Sequence, residues 1–297
     1  MWSRIFNLVP MATTSFYSNW NPHKLQQAFK WVVYLLLFVN FCFYIEEDWS
    51  AATYTLGQDA ELGQWFSAFA TTIDETAWLI LLIMLELETY VLDDEQFTPW
   101  VTILLNAIRV ICFTMIAYTI FAFGQYVIEV RETLPVENVT NLCQLADKDL
   151  SYTYNLDYHE VTGTSCGTLS PDTKFYWVAG DDVVADAEGL RLERQLAWAD
   201  FAEVVIWLVI IIAIELVVGM QDRGISRGIA TTVLNWTKLL GYSLLLSLGV
   251  YWAWLGHTLY LWDTMLWVGG FVAIEMNLSE WRGELEESGT RNAERPM

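Results

Sequence analysis

Three glutamates sit in stretches otherwise built from apolar residues: Glu86 in LIMLELETY, Glu215 in IIIAIELVVG and Glu275 in GGFVAIEMNL. An ionised acid at the centre of a membrane helix costs roughly 2.5–3.5 kcal/mol on insertion scales, so such residues mark ion or proton routes, or they pair with a cation. Eight residues before each glutamate stands a tryptophan: Trp78, Trp207 and Trp267. Four residues before each tryptophan stands a further acid: Asp74, Glu203 and Asp263. The pattern acid-x3-Trp-x7-Glu thus occurs three times without a gap. The outer acids are expected in first helical turns, where negative charge complements the helix dipole, or around a vestibule that collects cations. The tryptophans are expected as anchors at the membrane interface.

A second pattern alternates with the first. QAFKWVVY, NAIRVICF and NWTKLLGY align on Gln27, Lys30 and Tyr34; Asn106, Arg109 and Phe113; and Asn235, Lys238 and Tyr242. Spacings of three and four keep each trio on one helix face. Counted from a tight turn near residue 258, Lys238 lies 20 residues down and Glu275 lies 17. That is a depth difference of about 4.5 Å, within reach of a lysine stem. Each hairpin is therefore expected to close one pair: Lys30 with Glu86, Arg109 with Glu215, and Lys238 with Glu275. Two roles fit such pairs, a lock on hairpin register or the lining of a cation or proton path.

The elements that must position these residues are membrane helices. The 297 residues are 55% hydrophobic and 17% charged, against about 25% charged in soluble domains. Apolar stretches near 28–46, 72–92, 100–129, 199–221, 231–257 and 260–280 each approach or exceed the length that crosses a bilayer. The expected fold is an all-α polytopic membrane protein of six transmembrane helices, arranged as three two-helix hairpins. A small strand-containing extracytoplasmic insertion lies between the third and fourth helices. The boundaries are an N-terminal segment 1–24, hairpins 25–99, 100–221 and 222–281, the insertion 130–198 within the second, and a tail 282–297. Trp2, Ile5, Phe6 and Val9 give the first segment an apolar, interfacial side. In the insertion, SYTYNLDYHEV alternates as a strand that places Tyr152, Tyr154 and Tyr158 on one face.

Topology follows from basic residues flanking the spans. Arg4, Lys24 and Lys30, then Arg223 and Arg227, then Arg282, Arg291 and Arg295 all fall on one side, which places both termini in the cytoplasm. The opposite side receives a first loop with Glu46, Glu47, Asp48, Asp59 and Glu61, and the insertion with Cys143 and Cys166. An oxidising outer compartment permits a Cys143–Cys166 disulfide, whereas Cys42 and Cys112 lie within spans. The expected location is a bacterial inner membrane or a plasma membrane.

A net charge of −21 argues against nucleic acid as a partner. His23, His159 and His257 are scattered, so no histidine-based metal or haem site is expected. The acidic run Asp181, Asp182, Asp186 and Glu188 lacks EF-hand spacing. His257, beside a turn glycine, reads as an exposed turn residue. No catalytic constellation stands out, and neither an enzyme nor a cofactor is expected. The functional expectation is a channel or transporter for small cations or protons, set in the lipid bilayer, alone, as a homo-oligomer or beside a partner membrane protein. The alternative is a non-transporting scaffold, complex subunit or sensor acting through 130–198.

Overall fold

A computed structural model describes residues 22–57, 59–88, 92, 98–178, 182–223 and 228–271. The chain divides into two compact units: Met1–Leu35 with Gly270–Met297, and Leu36–Gly269. In the first unit the described chain is helical. Lys30 is buried, with its ammonium 5.7 Å from the Trp31 ring centre, and Trp31 meets Tyr34 edge-on.

The protein is mostly helical. Its helices are α1 (Pro22–Thr55), α2 (Leu62–Ala68), α3 (Ala70–Glu86), α4 (Pro99–Glu132), the short α5 (Cys166–Leu169), α6 (Ala187–Asp222) and α7 (Ile229–Trp254). A further helix, α8, runs through 258–271. Among the described residues, three helical segments are long and apolar enough to cross a membrane: Gln27–Thr55, Pro99–Glu132 and Ile229–Trp254. The bent pair α2 and α3, which meet at 66°, would make a fourth. These helices are compatible with an integral membrane protein, and many of their large apolar side chains point outward.

Local chemistry explains the helix ends. Thr98 accepts from the Val101 N–H and Pro99 follows it, an N-cap and a first-turn proline together. At the far end of α4, Arg194 donates to the Val130 and Arg131 carbonyls, a cation placed where the helix leaves carbonyls unsatisfied. Asp186 starts α6 by accepting from the Gly189 N–H at 2.8 Å. Helices approach most closely at glycine. A Cβ on Gly241 of α7 would stand 2.6 Å from Ile210 Cγ1 of α6, so only a residue without a side chain fits.

The insertion folds as a four-stranded sheet of order β2-β1-β4-β3, made of β1 (Ser151–Tyr154), β2 (Asp157–Glu160), β3 (Phe175–Trp177) and β4 (Val183–Asp186). β1 and β4 run parallel and the other pairs antiparallel. SYTYNLDYHEV is therefore a hairpin and not one strand. Asn155 and Leu156 turn it, both at positive φ (56° and 61°), the left-handed pair that a two-residue hairpin demands. The turn separates the tyrosines: Tyr158 pairs with Thr153 and shares its face, opposite Tyr152 and Tyr154. Cys143 and Cys166 form the expected disulfide across 23 positions, beside a core of Leu142, Leu145, Tyr152 and Phe175. Cys42 and Cys112 are free.

Candidate functional site

The repeated tryptophans meet. Trp78 lies 6.2 Å from Trp207 and 6.3 Å from Trp267, centre to centre, and all three are buried. They are not interface anchors. Acid and tryptophan four residues apart share a helix face, so the clustering of the rings draws the acids inward with them. Trp78 Nε1 donates to Asp74 Oδ2 at 3.0 Å, and Trp267 Nε1 to Glu75 Oε2 at 3.3 Å.

Asp74, Glu75, Glu203 and Asp263 consequently form one acidic set, Glu75 and Asp263 buried and Asp74 and Glu203 half-buried, each within electrostatic range of others in it. None of the four is in a first turn: Asp74 and Glu75 lie beyond the first turn of α3, Glu203 near the middle of α6, and Asp263 inside α8. The dipole account of these residues gives way to a cluster in the interior. Asn40 of α1 joins it, donating to Asp263 Oδ1 at 2.6 Å. Asn40 is 1% exposed, and its own carbonyl oxygen has no hydrogen-bond partner, as is true of Asp74 Oδ1. The salt bridges among the described residues involve none of these acids.

A second acidic group lies nearer the sheet. Glu47 and Asp48, expected in a loop, belong to α1, because no glycine or proline interrupts the chain between them and Gly57. Asp48 Oδ2 accepts from the Thr72 N–H and hydroxyl at 2.9 and 2.7 Å, and so caps the start of α3 from a neighbouring helix. Tyr260 donates to Glu47 Oε1 at 3.2 Å. Asp200 of α6 lies near Glu47, Glu193 and Glu203. Along α6, Glu193, Asp200 and Glu203 are spaced seven and three, one face covering about 15 Å. Tyr44, buried on α1, packs edge-on to Tyr260 at 5.7 Å and has Asp263, Glu75 and Glu203 as charged neighbours.

The sheet closes one end of this acidic column. Tyr158 stacks on Tyr54 of α1, ring centres 6.0 Å apart. The hairpin turn is pinned to the α7–α8 connection: Asn155 Nδ2 donates to the Leu255 carbonyl at 2.9 Å, and the His257 ring lies 3.0 Å from the Asn155 carbonyl. His257 is thus a half-buried anchor and not an exposed turn residue. Glu193, 0% exposed and above the 199–221 stretch, accepts from Tyr126 at 3.2 Å. Burial pushes its carboxyl up to about 7, against the lowering effect of the Tyr126 hydroxyl and the Leu156 N–H. Asp186 behaves oppposite in sign. Burial works to raise it, but hydrogen bonds from the Gly189 N–H, Ser170 and Tyr152 outweigh burial and hold it below the ordinary carboxylate range. With those donors engaged, Asp186 serves the sheet and the start of α6. Among the described residues, no three His, Cys, Asp or Glu side chains converge as metal ligands.

The inner cations are placed differently from the hairpin count in one case. Arg109 donates to Glu88, which follows α3, while Glu215 is exposed. The depth count fails for the second hairpin because α4 and α6 are 34 and 36 residues long and carry the insertion between them, so no common tip exists to count from. Glu86 and Lys238 are half-buried, and Phe113 is exposed. Glu275, Asp181 and the segment holding Trp2, Ile5, Phe6 and Val9 lie outside the described residues. No family model matches the chain, and neither a curated protein nor a solved structure matches it.

Proposed function

We propose that this is a six-span membrane protein of three hairpins that binds and moves protons or small cations through its buried outer carboxylates. The observation that carries the reading is the convergence of Asp74, Glu75, Glu203 and Asp263, from α3, α6 and α8, above a tryptophan triad and, among the described residues, without a salt bridge to any of them. Buried acids that only fix geometry are paired with cations or saturated with donors. Here Asp74 Oδ1 and the Asn40 carbonyl remain open acceptors. A set of oxygen acceptors in a low-dielectric interior holds protons or a hard cation to offset its charge. The three-hairpin arrangement is supported by one member of each repeat contributing to the triad. In this reading the paired charges nearer the cytoplasm serve mainly as locks, and the chain has no catalytic role. A scaffold acting only through 130–198 does not account for an acidic column beneath that layer.

The test is proton and alkali-cation flux into liposomes bearing the purified protein, beside the Asp74→Asn/Glu203→Gln/Asp263→Asn variant. Flux that the wild type supports and a folded variant loses assigns the acids to transport. Equal flux, or none from either, refutes the assignment.

A further inference from the structure

Tyr44 stands between the two acidic groups. On its outer side lie Tyr260, edge-on at 5.7 Å, and through the Tyr260 hydroxyl the Glu47 carboxylate at 3.2 Å. Asp200 and Asp48 also lie near Tyr260. On its inner side, one turn earlier on α1, Asn40 donates to Asp263 at 2.6 Å, and Asp263 itself follows Tyr260 by three residues on α8, so both helices carry the face from Tyr44 and Tyr260 to Asp263. The junction is filled by rings: Tyr260 stacks on Trp252 at 4.5 Å, Trp252 is fully buried, and Tyr44 is 3% exposed.

We propose that the transported species is the proton and that Tyr44 relays it from the outer group, Glu47 and Tyr260, to the inner group around Asp263. This rests on the reading that the buried acids bind and move charge. Two features select the proton over a metal ion. A metal ion needs several oxygens at one point, six to eight for calcium and about six for magnesium. Among the described residues no three acids meet in that way, and the carboxylates are instead strung along α1, α3, α6 and α8. A dehydrated ion also needs an open passage, whereas aromatic rings occupy this one and leave phenolic hydroxyls as its polar groups. A phenol hydroxyl both donates and accepts, which is what a proton hop requires and what an ion cannot use.

The step balances without any further reactant. A protonated Glu47 gives its proton to the Tyr260 oxygen, the Tyr260 proton passes to the Tyr44 oxygen, and the Tyr44 proton passes to an inner carboxylate. Each phenol gains one proton and gives up one, so both end neutral. The net change is one proton moved from Glu47 to the Asp263 group, after which the hydroxyls rotate back. Asn40 Nδ2 donates to Asp263 Oδ1 and holds that carboxyl in place.

The experiment is flux into liposomes under an imposed potential, read in parallel by an entrapped pH dye and by sodium and potassium indicators. Tyr44→Phe keeps the ring and removes only the hydroxyl. Glu47→Gln interrupts the same route one step earlier, in case the first variant does not fold. Tyr118→Phe, whose ring packs on Phe66 away from the column, is the control. The expected result is proton flux from the wild type and from Tyr118→Phe, reduced roughly a hundredfold in Tyr44→Phe and in Glu47→Gln, as for loss of a positioned proton-transfer group. Sodium and potassium signals should match protein-free vesicles. Metal-ion flux in the wild type that Tyr44→Phe leaves intact overturns the proton relay while leaving the carboxylate reading standing, and so does full proton flux in Tyr44→Phe. Absence of any flux overturns both.

Discussion

Replacing Glu193 by Gln should change the pH dependence of stability more than stability itself at low pH. Glu193 is fully buried beneath the sheet, and burial moves its carboxyl from 4.5 to about 7. The unfolded chain loses this proton near 4.5, whereas the folded chain keeps it until about 7. Between those values the folded state binds more protons, so stability falls as pH rises through the window. At about 1.4 kcal/mol per unit, the fall comes to about 3 kcal/mol, complete just above pH 7. Glu193 faces Tyr126 of α4, Tyr158 of β2 and, on its own helix, Asp200. The informative quantity is the difference between wild type and Glu193→Gln, in which every other titrating group cancels. Gln retains an acceptor for the Tyr126 hydroxyl and never ionises. Denaturant unfolding in detergent, repeated from pH 4.5 to 8, should show the variant gaining on the wild type by about 3 kcal/mol across the window. A difference that stays flat, or that shrinks with rising pH, refutes the burial argument.

Three further outcomes follow from packing and covalent structure. Cys143→Ser with Cys166→Ser opens a link spanning 23 positions, which should cost about 3 kcal/mol by loop entropy and lower the melting temperature of the wild type as a reducing agent does. Gly241→Ala places a methyl 2.6 Å from Ile210 Cγ1 and should cost about 1–3 kcal/mol, much of it recovered in the double variant with Ile210→Ala; additive costs in the thermal-stability cycle would exclude a direct contact. Asp186→Asn removes a charged acceptor from Tyr152 and Ser170, both at 2.7 Å, and should cost about 3 kcal/mol. Because Asp186 is held below its unfolded value, that stability is present above the ordinary carboxylate range and is lost as pH falls through the lowered value, so acid unfolding should separate variant and wild type less than unfolding at neutral pH.

Three of the six expected spans, the disulfide and the recurrence of acid and tryptophan are legible in the residues because each depends on composition or on local spacing. What the recurrence does is not. A face bearing Asp74 and Trp78 reads equally as an interface belt or as a core contact, and only the meeting of Trp78 with Trp207 and Trp267 decides between them. Glu75 does not stand out in the sequence, because the aligned positions in the other copies are Val204 and Thr264 and the repeat itself hides it. The clue was an unmatched acid three residues before a repeated tryptophan. Glu47 and Asp48 fall just past the apolar stretch 28–46 and so read as loop, although the chain from Pro22 to Leu56 contains no further glycine or proline to end a helix. Arg109 met Glu88 because depth counted from a hairpin tip has no meaning where a folded layer replaces the tip. The Asn155–Leu156 turn lacked a glycine, which is the residue that usually betrays two consecutive positive φ angles.

The central claim is that the buried acids exchange protons with the outer solution. Infrared spectroscopy of the protein in vesicles tests it most directly, by following the protonated-carboxyl stretch as outer pH is changed and as outer water is replaced by deuterium oxide. The account predicts a band that responds to both, and that loses much of its intensity in the Asp74→Asn/Glu203→Gln/Asp263→Asn variant. A band blind to outer pH and to deuterium, or one unaltered in that variant, would contradict it.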